Sequence, residues 1–483
     1  MVMPAPITAE AGAFALASAD AERLREHLAA AQRRARRSSA GEALAAITVP
    51  LPRGADPTAI AIASRAGDEP WFVLEQPDRA GAALATLGLA TALEARGEDR
   101  FAVVAARWRR LAAGAVADVP DGPRGSGPVA VGGFAFAPEG GGAPHWHGFA
   151  PASLHVPEVA FARRDEDVRM TLAALVRADD DVDQVQARLV DRAASLRQEP
   201  LPLLDPDPTT RSRVVSAMPP EHYEAAVARA VEQIRAGRLD KIVLAREVQV
   251  HAAAAHQPGA LLGVLRDAFP GCHVFAVGRG DATLIAASPE LLVRREGLRA
   301  GTLALAGSTR RSADPAVDDH LGEQLLRSSK DREEQAIVTR RIVQALGPHS
   351  VWVTPADEPV LARVANIQHL ATPIRAQLRE PVSVIELAGA LHPTPAVGGE
   401  PISAAAPLIP ALEGLDRGWY AGPIGWVDEH EDGEFCVALR CALLTGPVAR
   451  CYAGVGVVRD SDPAAELAET EIKLEALLPV LAI

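Results

Sequence analysis

Short apolar runs that are typical of β-strands alternate with helical segments along most of this chain. The strand-like runs lie at 44–49, 59–63, 71–74, 129–136 and 158–175, and the helical segments at 19–38, 101–114 and 180–197. Each strand or helix has an apolar face that is stabilised only when it packs against another element. A Pro-rich stretch at 201–212 is typical of a linker, but the chain shows no clean domain break. The alternation therefore predicts a large globular protein of mixed sheets and helices.

The second half of the chain begins with a helix followed directly by a strand. Pro219 and Pro220 suit a helix start, and the apolar residues of 223–234 recur with a period of about 3.6. A glycine suits the end of this helix, and a strand at 241–250 follows. Period-two alternation places Lys241 on a largely apolar face of that strand.

Three further strands are predicted at 273–277, 283–287 and 300–311. After the second of these, Ser288 as a helix N-cap and Pro289 at the first helical position predict one helical turn, which would hold Glu290 at the positive end of its dipole. That structural position explains Glu290 as well as a catalytic role does. The third strand is predicted to end in a glycine turn, where the backbone amides and Ser308 could hold a carboxylate.

Lysine is scarce in this sequence. It occurs only at Lys241, Lys330 and Lys473, whereas arginine occurs 46 times, since the 49 basic residues include 3 lysines. Arginine keeps its proton in proteins, but a lysine amine can lose it and then act as a base or nucleophile. A bias in base composition explains the scarcity equally well, so the residues around each lysine decide its meaning.

The composition limits the classes of function. A net charge of −13 and a pI near 5.5 argue against nucleic acid or an anionic membrane as partner, and they require a locally basic pocket for an anionic substrate. The N-terminal apolar patch is short and follows Glu10 instead of basic residues, which argues against a signal peptide. No run of about 18 apolar residues predicts a membrane span. Four cysteines without paired spacing favour reduced thiols and a cytoplasmic location.

Two segments in the second half carry carboxylates at helical spacing. In 329–338, Asp331 and Glu334 are three residues apart, and in 462–474, Glu466, Glu469 and Lys473 follow one face. Two such helices could flank one Mg²⁺, which prefers a few carboxylates and leaves positions for water or substrate oxygens. Taken alone, the spacing is better explained by two solvated acidic helix faces, supported by pairs such as Glu469 with Lys473.

Other polar residues lie in apolar surroundings between these segments. Arg440 is predicted to end a buried strand within 435–441 and would be costly to bury without an anion partner. Tyr420 and His369 could be pocket residues or satisfied interior polar groups, and for His369 alone the second interpretation is favoured.

Ten sequence tracts together resemble those of the chorismate-utilising enzymes, and most closely the isochorismate synthases. The tracts are DKIVLAR, SPELLVR, LAGS, SKDREEQ, NIQHL, LHPTPAVGG, GWYAGPIGW, ALRC, AGVGVV and ELAETEIKL. Their order and approximate spacing agree from about residue 217 to the end, and a weaker resemblance continues back to WFVLEQPDR but leaves 1–45 uncovered. Two positions depart from the family, with Ser308 where Thr is usual and Gln335 where His is common.

The resemblance implies a role for each matching residue. Lys241 matches the general base that activates water for attack on C2 of chorismate, and Glu290 matches the acid that protonates the departing C4 hydroxyl. Glu334 and Glu469 match the principal Mg²⁺ ligands, and Asp331 and Glu466 match partners that hold metal-bound water. The matching substrate-binding positions are Gly307, Ser308, His369, Tyr420, Arg440, Gly454 and Lys473. Lys330 lies within a motif but receives no role.

The resemblance also implies a fold and a set of partners. The expected fold is one α+β unit of four layers, α/β/β/α, with two packed sheets between outer helices. A partly helical extension is expected at 1–45 and a single chorismate-binding catalytic unit at 46–483, with the strongest motifs at 217–483. Chorismate is the implied substrate and Mg²⁺ the implied cofactor, and a cytoplasmic monomer without an amidotransferase subunit is expected.

The branches of this family differ in what attacks the ring. The amine-adding members usually lack lysine at the position of Lys241, and the aminodeoxychorismate synthases carry a lysine nucleophile where this chain has Ala306. Both differences favour water as the nucleophile and an isochorismate synthase, an isomerase of menaquinone or siderophore biosynthesis. The alternatives are a salicylate synthase, which also eliminates pyruvate, and a non-catalytic chorismate-binding paralogue.

Overall fold

The computed structural model describes residues 12–119, 121–205 and 211–482. Its helices are α1 Ser18–Ala35, α2 Pro57–Ser64, α3 Arg100–Ala113, α4 Val182–Ser195, α5 Pro220–Arg235, α6 Pro258–Ala268, α7 Pro315–Arg327, α8 Ser329–Leu346, α9 Val384–Leu391, α10 Ile402–Glu413, α11 Pro463–Leu474 and α12 Leu478–Leu481. Short 3-10 helices lie at Pro144–Trp146 and Gly347–His349. Glu10, on which the argument against a signal peptide rests, and 206–210 of the predicted linker lie outside the described residues.

The strands alternate with these helices along the chain. They are β1 Glu42–Pro50, β2 Trp71–Gln76, β3 Ala82–Leu87, β4 Thr91–Ala95, β5 Val129–Phe134, β6 Ala152–Val156, β7 Val159–Arg164, β8 Asp167–Arg177, β9 Arg213–Ser216, β10 Lys241–His251, β11 His273–Arg279, β12 Ala282–Ser288, β13 Leu291–Glu296, β14 Arg299–Arg310, β15 Ser350–Pro355, β16 Val360–Arg363, β17 Ile367–Leu378, β18 Gly399–Glu400, β19 Pro423–Asp428, β20 Gly433–Val437, β21 Cys441–Thr445 and β22 Val448–Val457.

The strands form two antiparallel sheets. Sheet A has the order β1-β8-β7-β3-β2-β11-β12-β21-β22-β10-β18, with β9 also paired to β10. Sheet B has the order β15-β17-β14-β13-β20-β19-β5-β6-β4, with β16 also paired to β17. Both sheets combine strands from the two halves of the chain, so neither half is a separate sheet.

The two sheets pack face to face. Leu74 and Leu84 of sheet A and Val131 and Trp426 of sheet B belong to one buried core. The outer face of sheet A packs against α1, α4 and α6 in a second core, and the outer face of sheet B is covered by α3, α8 and α9. This arrangement confirms the α+β fold with two packed sheets between outer helices.

Residues 59–63 form part of helix α2, so the predicted strand there is wrong. Asp56 accepts hydrogen bonds from the N–H groups of Thr58 and Ala59, and Pro57 occupies the first turn. These are start signals of a helix, and they outweigh the strand-like composition of a short apolar run.

The predicted helical turn at Glu290 is also wrong. Ser288 ends strand β12, and Pro289 and Glu290 lead directly into β13. The Ser288 hydroxyl donates to the carbonyl of Val437 at 2.5 Å and accepts the N–H of Glu290. Tertiary hydrogen bonds therefore hold this serine, and Glu290 lies between two strands and not at the start of a helix.

Gly307 lies within strand β14 and does not end it. Its φ is +67°, and the pairing of β14 with β17 shifts register between Ala306 and Ser308. The glycine is therefore a bulge, which turns the following side chain without ending the strand.

The N-terminal helix, the cysteines and the membrane-span prediction can each be compared with the structure. Helix α1 buries Leu24 and Leu28 in the core that it shares with β1, and the domain boundary at residue 45 stays a prediction. The four cysteines are buried free thiols. In the described ranges, no helix is long and apolar enough to cross a membrane.

Candidate active site

A cavity of about 90 Å³ between the two sheets collects almost all of the predicted site residues. Its walls come from β10 and β22 of sheet A, β14 and β17 of sheet B, and helices α8 and α11. The predicted residues that line it are Glu290, Gly307, Ser308, Asp331, Glu334, His369, Tyr420, Arg440, Gly454, Glu466, Glu469 and Lys473. Lys241 lies just behind this wall.

Lys241 is the first residue of β10 and is fully buried. Its Nζ lies 2.7 Å from Oε1 of Glu334, which lines the cavity. The contact lacks the angles of a hydrogen bond, so Nζ has no aligned acceptor within the described part of the chain. A Cβ at Gly456 would lie 2.5 Å from this Glu334 oxygen and 2.7 Å from Cε of Lys241. Glycine at this position of β22 therefore leaves the room that the pair occupies.

Glu290 enters the cavity from the connection between β12 and β13. Burial raises the pKa of its carboxyl to about 8, although the charges of Lys241 and Lys473 oppose this shift. A carboxyl with this pKa keeps its proton at neutral pH and can donate it. Desolvation by the two sheets therefore acts in the opposite direction to the predicted helix dipole, which would have favoured the ionised carboxylate.

Arg440 and His369 form a buried pair in the cavity wall. Nη2 of Arg440 donates to Nε2 of His369 at 2.6 Å, and Nδ1 of His369 donates to the carbonyl of Gly307 at 3.2 Å, in the tautomer that this network requires. Burial and the charge of Arg440 hold the pKa of His369 well below its usual range, so the imidazole is neutral.

Arg440 lies between β20 and β21 with a φ of +47°, and not at the end of a strand as predicted. Burial lowers its pKa to about 10. Its Nη1 has no hydrogen-bond partner within the described residues. A buried guanidinium with a free donor is suited to bind a carboxylate.

Each lysine of the chain contacts one glutamate of the site. The pairs are Lys241 with Glu334 at 2.7 Å, Lys330 with Glu466 at 3.2 Å and Lys473 with Glu469 at 2.9 Å. Lys473 also donates to the carbonyl of Gly454 at 2.9 Å. The sequence analysis assigned Lys330 no role. The scarcity of lysine in the chain was a signal that could have indicated a place in the site for Lys330 as well as for Lys241 and Lys473.

Two hydroxyl groups add to the network of the cavity. Ser308, a predicted substrate-binding residue, lines the cavity, and its hydroxyl donates to Oε1 of Glu469 at 2.7 Å. Tyr452, which the sequence did not single out, lines the cavity, and its ring stacks on that of Tyr420 with centroids 5.2 Å apart. The Tyr452 hydroxyl is buried without a partner in the described ranges. The sequence offers no sign of this residue beyond its place in a strand.

The donor set of the cavity fits a hard divalent cation. Asp331 and Glu334 of α8 and Glu466 and Glu469 of α11 all supply carboxylate oxygens to one space. Burial, together with the charge of Glu334, raises the pKa of Asp331, as expected where carboxylates crowd without a full complement of cations. Within the described ranges, no three metal-ligating side chains already converge on one point. Glu334, Glu466 and Glu469 each contact a lysine instead.

Residues 27–482 match the sequence model of the family described as chorismate binding enzyme. The chain belongs to this family. The chorismate-binding enzyme is 40% identical over 413 residues to a Pseudomonas aeruginosa protein named salicylate biosynthesis isochorismate synthase, a match that covers 85% of each chain.

Two other relatives of this chorismate-binding enzyme carry similar names. It is 35% identical over 359 residues to isochorismate synthase MenF of Bacillus subtilis, with 74% of this chain and 75% of the relative covered. The solved structure of the menaquinone-specific isochorismate synthase MenF of Escherichia coli matches with a TM-score of 0.77 at 27% identity, over 96% of this chain and 99% of that one. The sequence resemblance and the fold are thus confirmed, while the roles of single residues, the metal, the monomeric state, the lack of an amidotransferase subunit and the cytoplasmic location stay predictions.

Proposed function

We propose that this enzyme is a Mg²⁺-dependent isochorismate synthase. In the proposed reaction, the oxygen of one water bonds to C2 of chorismate, and the C4 hydroxyl leaves as a second water. Atoms balance, because one water enters and one leaves, and the product is an isomer of the substrate. The observation that carries the proposal is a buried carboxyl that keeps its proton, Glu290, in a cavity whose wall residue Glu334 is contacted from behind by the buried Lys241. The names of the relatives support the same reaction.

Lys241 is proposed as the general base. In its amine form it takes a proton from the attacking water, and its position behind Gly456 and Glu334 fixes the side of the substrate from which water comes. Because the Lys241 side chain is fully buried, its Nζ can occupy few positions. The side chain therefore loses little conformational entropy on reaching the transition state.

Glu290 is proposed as the general acid. It donates its proton to the departing C4 oxygen, and its pKa of about 8 provides that proton at neutral pH. After each turnover Lys241 holds an extra proton and Glu290 lacks one, so a proton must pass back through solvent or between the two groups before the next cycle.

Arg440 and Lys473 are proposed to bind the substrate carboxylates. The free Nη1 of Arg440 can donate to an anion, and the neutral His369 keeps the guanidinium oriented without adding a competing charge. These cations also explain how an acidic protein attracts a dianionic substrate.

Glu334 and Glu469 are proposed to hold Mg²⁺, with Asp331 and Glu466 holding its water. When bound, the ion would neutralise a substrate carboxylate and draw it into the cavity. The protein's own part is to keep four carboxylates on two helices, which Lys241, Lys330 and Lys473 neutralise in part.

One assay separates the candidate functions. Purified protein is incubated with chorismate and MgCl₂, products are resolved by chromatography, and pyruvate is measured with lactate dehydrogenase. We expect isochorismate without pyruvate. Salicylate with pyruvate would identify a salicylate synthase instead, and no turnover would favour a non-catalytic chorismate-binding protein.

Two variants test the proposed base. Lys241→Ala should lower kcat by about 100-fold or more, a typical contribution of a general base. Lys241→Arg keeps a cation beside Glu334 but cannot act as a base at neutral pH, so it should be equally slow. A Lys241→Arg enzyme with the wild-type rate would show that only the charge matters.

A further inference from the structure

Strand β10, which carries Lys241, has a gap along its outer edge. Its inner edge pairs with β22 from Ile242 to His251. At the outer edge, β18 pairs only with the first two residues of β10, and β9 pairs only with 248–251. The Val243 N–H still donates to the carbonyl of Gly398, just before β18, at 2.8 Å. No strand faces the Val243 carbonyl or the Ala245 N–H, and buried groups of this kind need other partners.

A buried ion pair fills this gap. Oε1 of Glu413, the last residue of α10, accepts the N–H of Ala245 at 2.7 Å. Nη2 of Arg417 donates to the carbonyl of Val243 at 3.0 Å and to Oε1 of Glu413 at 2.5 Å, and Nε donates to Oε2 of Glu413 at 3.0 Å. The side chains are 0% and 4% exposed. Two side chains thus take the place of the missing strand for the Val243 carbonyl and the Ala245 N–H.

The same pair reaches two other walls of the cavity. Nη1 of Arg417 donates to the carbonyl of Val397 at 2.8 Å, and Val397 lines the cavity. The guanidinium of Arg417 also lies 5.6 Å from the ring centroid of Tyr420. Neither Glu413 nor Arg417 lines the cavity itself, so the pair contacts its walls from behind.

We propose that Glu413 and Arg417 are positioning residues for the isochorismate synthase reaction. They hold the outer edge of β10 in place. The position of Lys241 is thereby fixed relative to Val397 and to the ring of Tyr420. Arginine is required at position 417 because its planar guanidinium donates hydrogen bonds to one carboxylate and two backbone carbonyls at once. This inference rests on the proposed function for its rate effect, but its effect on the backbone of β10 does not depend on catalysis.

The test compares Arg417→Lys with a matched control, Arg266→Lys. Arg266 is a mostly buried arginine that bonds Asp56 and Glu75 and does not contact the cavity. Both variants should lose thermal stability. Only Arg417→Lys should lower kcat at least tenfold with KM changed less than threefold, measured where both variants are folded by circular dichroism.

Hydrogen–deuterium exchange provides the readout that needs no activity. Peptides that cover 241–247 should exchange at least tenfold faster in Arg417→Lys and unchanged in Arg266→Lys, because the Val243 carbonyl loses its donor and Glu413, which accepts the Ala245 N–H, loses the guanidinium that orients it. If the wild-type protein forms no isochorismate, the proposed function fails, while this exchange difference still decides whether the pair anchors β10.

A second variant covers the case in which Arg417→Lys does not fold. Glu413→Ala/Arg417→Met removes both charges and leaves no unpaired buried ion, so the chain should fold. We expect it to be folded yet at least tenfold slower in kcat. A folded double variant with the wild-type kcat, equal losses of kcat in Arg417→Lys and Arg266→Lys, or unchanged exchange at 241–247 would each overturn the proposal.

Discussion

At the scale of single residues, burial decides the chemistry of the site. Glu290 is an ordinary glutamate in the sequence, yet desolvation raises its pKa to about 8. His369 is held neutral by the same effect and by Arg440, so a residue that usually titrates near neutral pH does not do so here. The protonation of the proposed acid, Glu290, is thus set by what surrounds it.

The pKa of Glu290 predicts a pH dependence. As an acid it must hold its proton, so kcat should fall as pH rises through about 8, with the slope of one proton. Glu290→Gln should be slower by about 100-fold or more and should lose this limb. A wild-type pH–rate profile that is flat from pH 7 to pH 9 would falsify the assignment.

The same shift predicts how stability varies with pH. Between the unfolded pKa near 4.5 and the folded pKa of about 8, the native state holds a proton that the unfolded state has lost. The free energy of unfolding therefore decreases as pH rises through this window. Thermal unfolding should show this decrease for the wild type, and Glu290→Gln should lack the part due to Glu290.

At the scale of elements, helices α8 and α11 carry the four carboxylates that line the cavity. Helix α11 begins at the N-cap Asp462, which accepts the N–H of Ala465 at 2.9 Å, and the i, i+3, i+7 spacing then turns Glu466, Glu469 and Lys473 toward the cavity. The residue at which α11 begins therefore sets where its carboxylates lie along the helix axis, and hence relative to the cavity.

Removal of the α11 cap should weaken both helix and site. Asp462→Ala should lower the free energy of unfolding by about 1 kcal/mol and weaken Mg²⁺ binding measured by calorimetry, because the first turn carries Glu466. Asp462→Asn keeps a good cap and is the control. Equal Mg²⁺ affinity in Asp462→Ala and Asp462→Asn would contradict the link between cap and site.

At the scale of the whole molecule, the scarce lysines meet in one place. Three lysines from distant parts of the chain each pair with a glutamate in an otherwise acidic protein. A cation that binds these glutamates stabilises the folded chain, because the unfolded chain separates them.

Magnesium should therefore raise the melting temperature. At a concentration 100 times Kd, the gain is about 2.7 kcal/mol, measured by thermal unfolding with KCl at equal ionic strength as reference. Glu469→Gln should lose most of this rise, whereas Glu471→Gln, an exposed neighbour on the same helix, should keep it. The same rise in Glu469→Gln as in the wild type would place the ion elsewhere.

Local patterns predicted much of this structure, and their errors have physical causes. The carboxylate helices and strand β10 follow from periodicity and start signals. The helix predicted at Ser288 fails because its hydroxyl bonds to Val437, far along the chain. Lys330 and Tyr452 were not assigned because their partners, Glu466 and Tyr420, are distant in sequence.

The sequence by itself determined which chemical groups are available and on which elements they lie. The sequence supplies three lysines, four carboxylates at helical spacing and the glycines of β22. Residue type and period are local properties, so the sequence alone identifies these groups. Only the tertiary structure decided that Lys241 lies behind the cavity that Glu290 lines, that burial leaves Glu290 its proton, and that Glu413 and Arg417 support the edge of β10. Desolvation and long-range hydrogen bonds depend on what the other parts of the chain exclude or supply, and no local pattern contains that information.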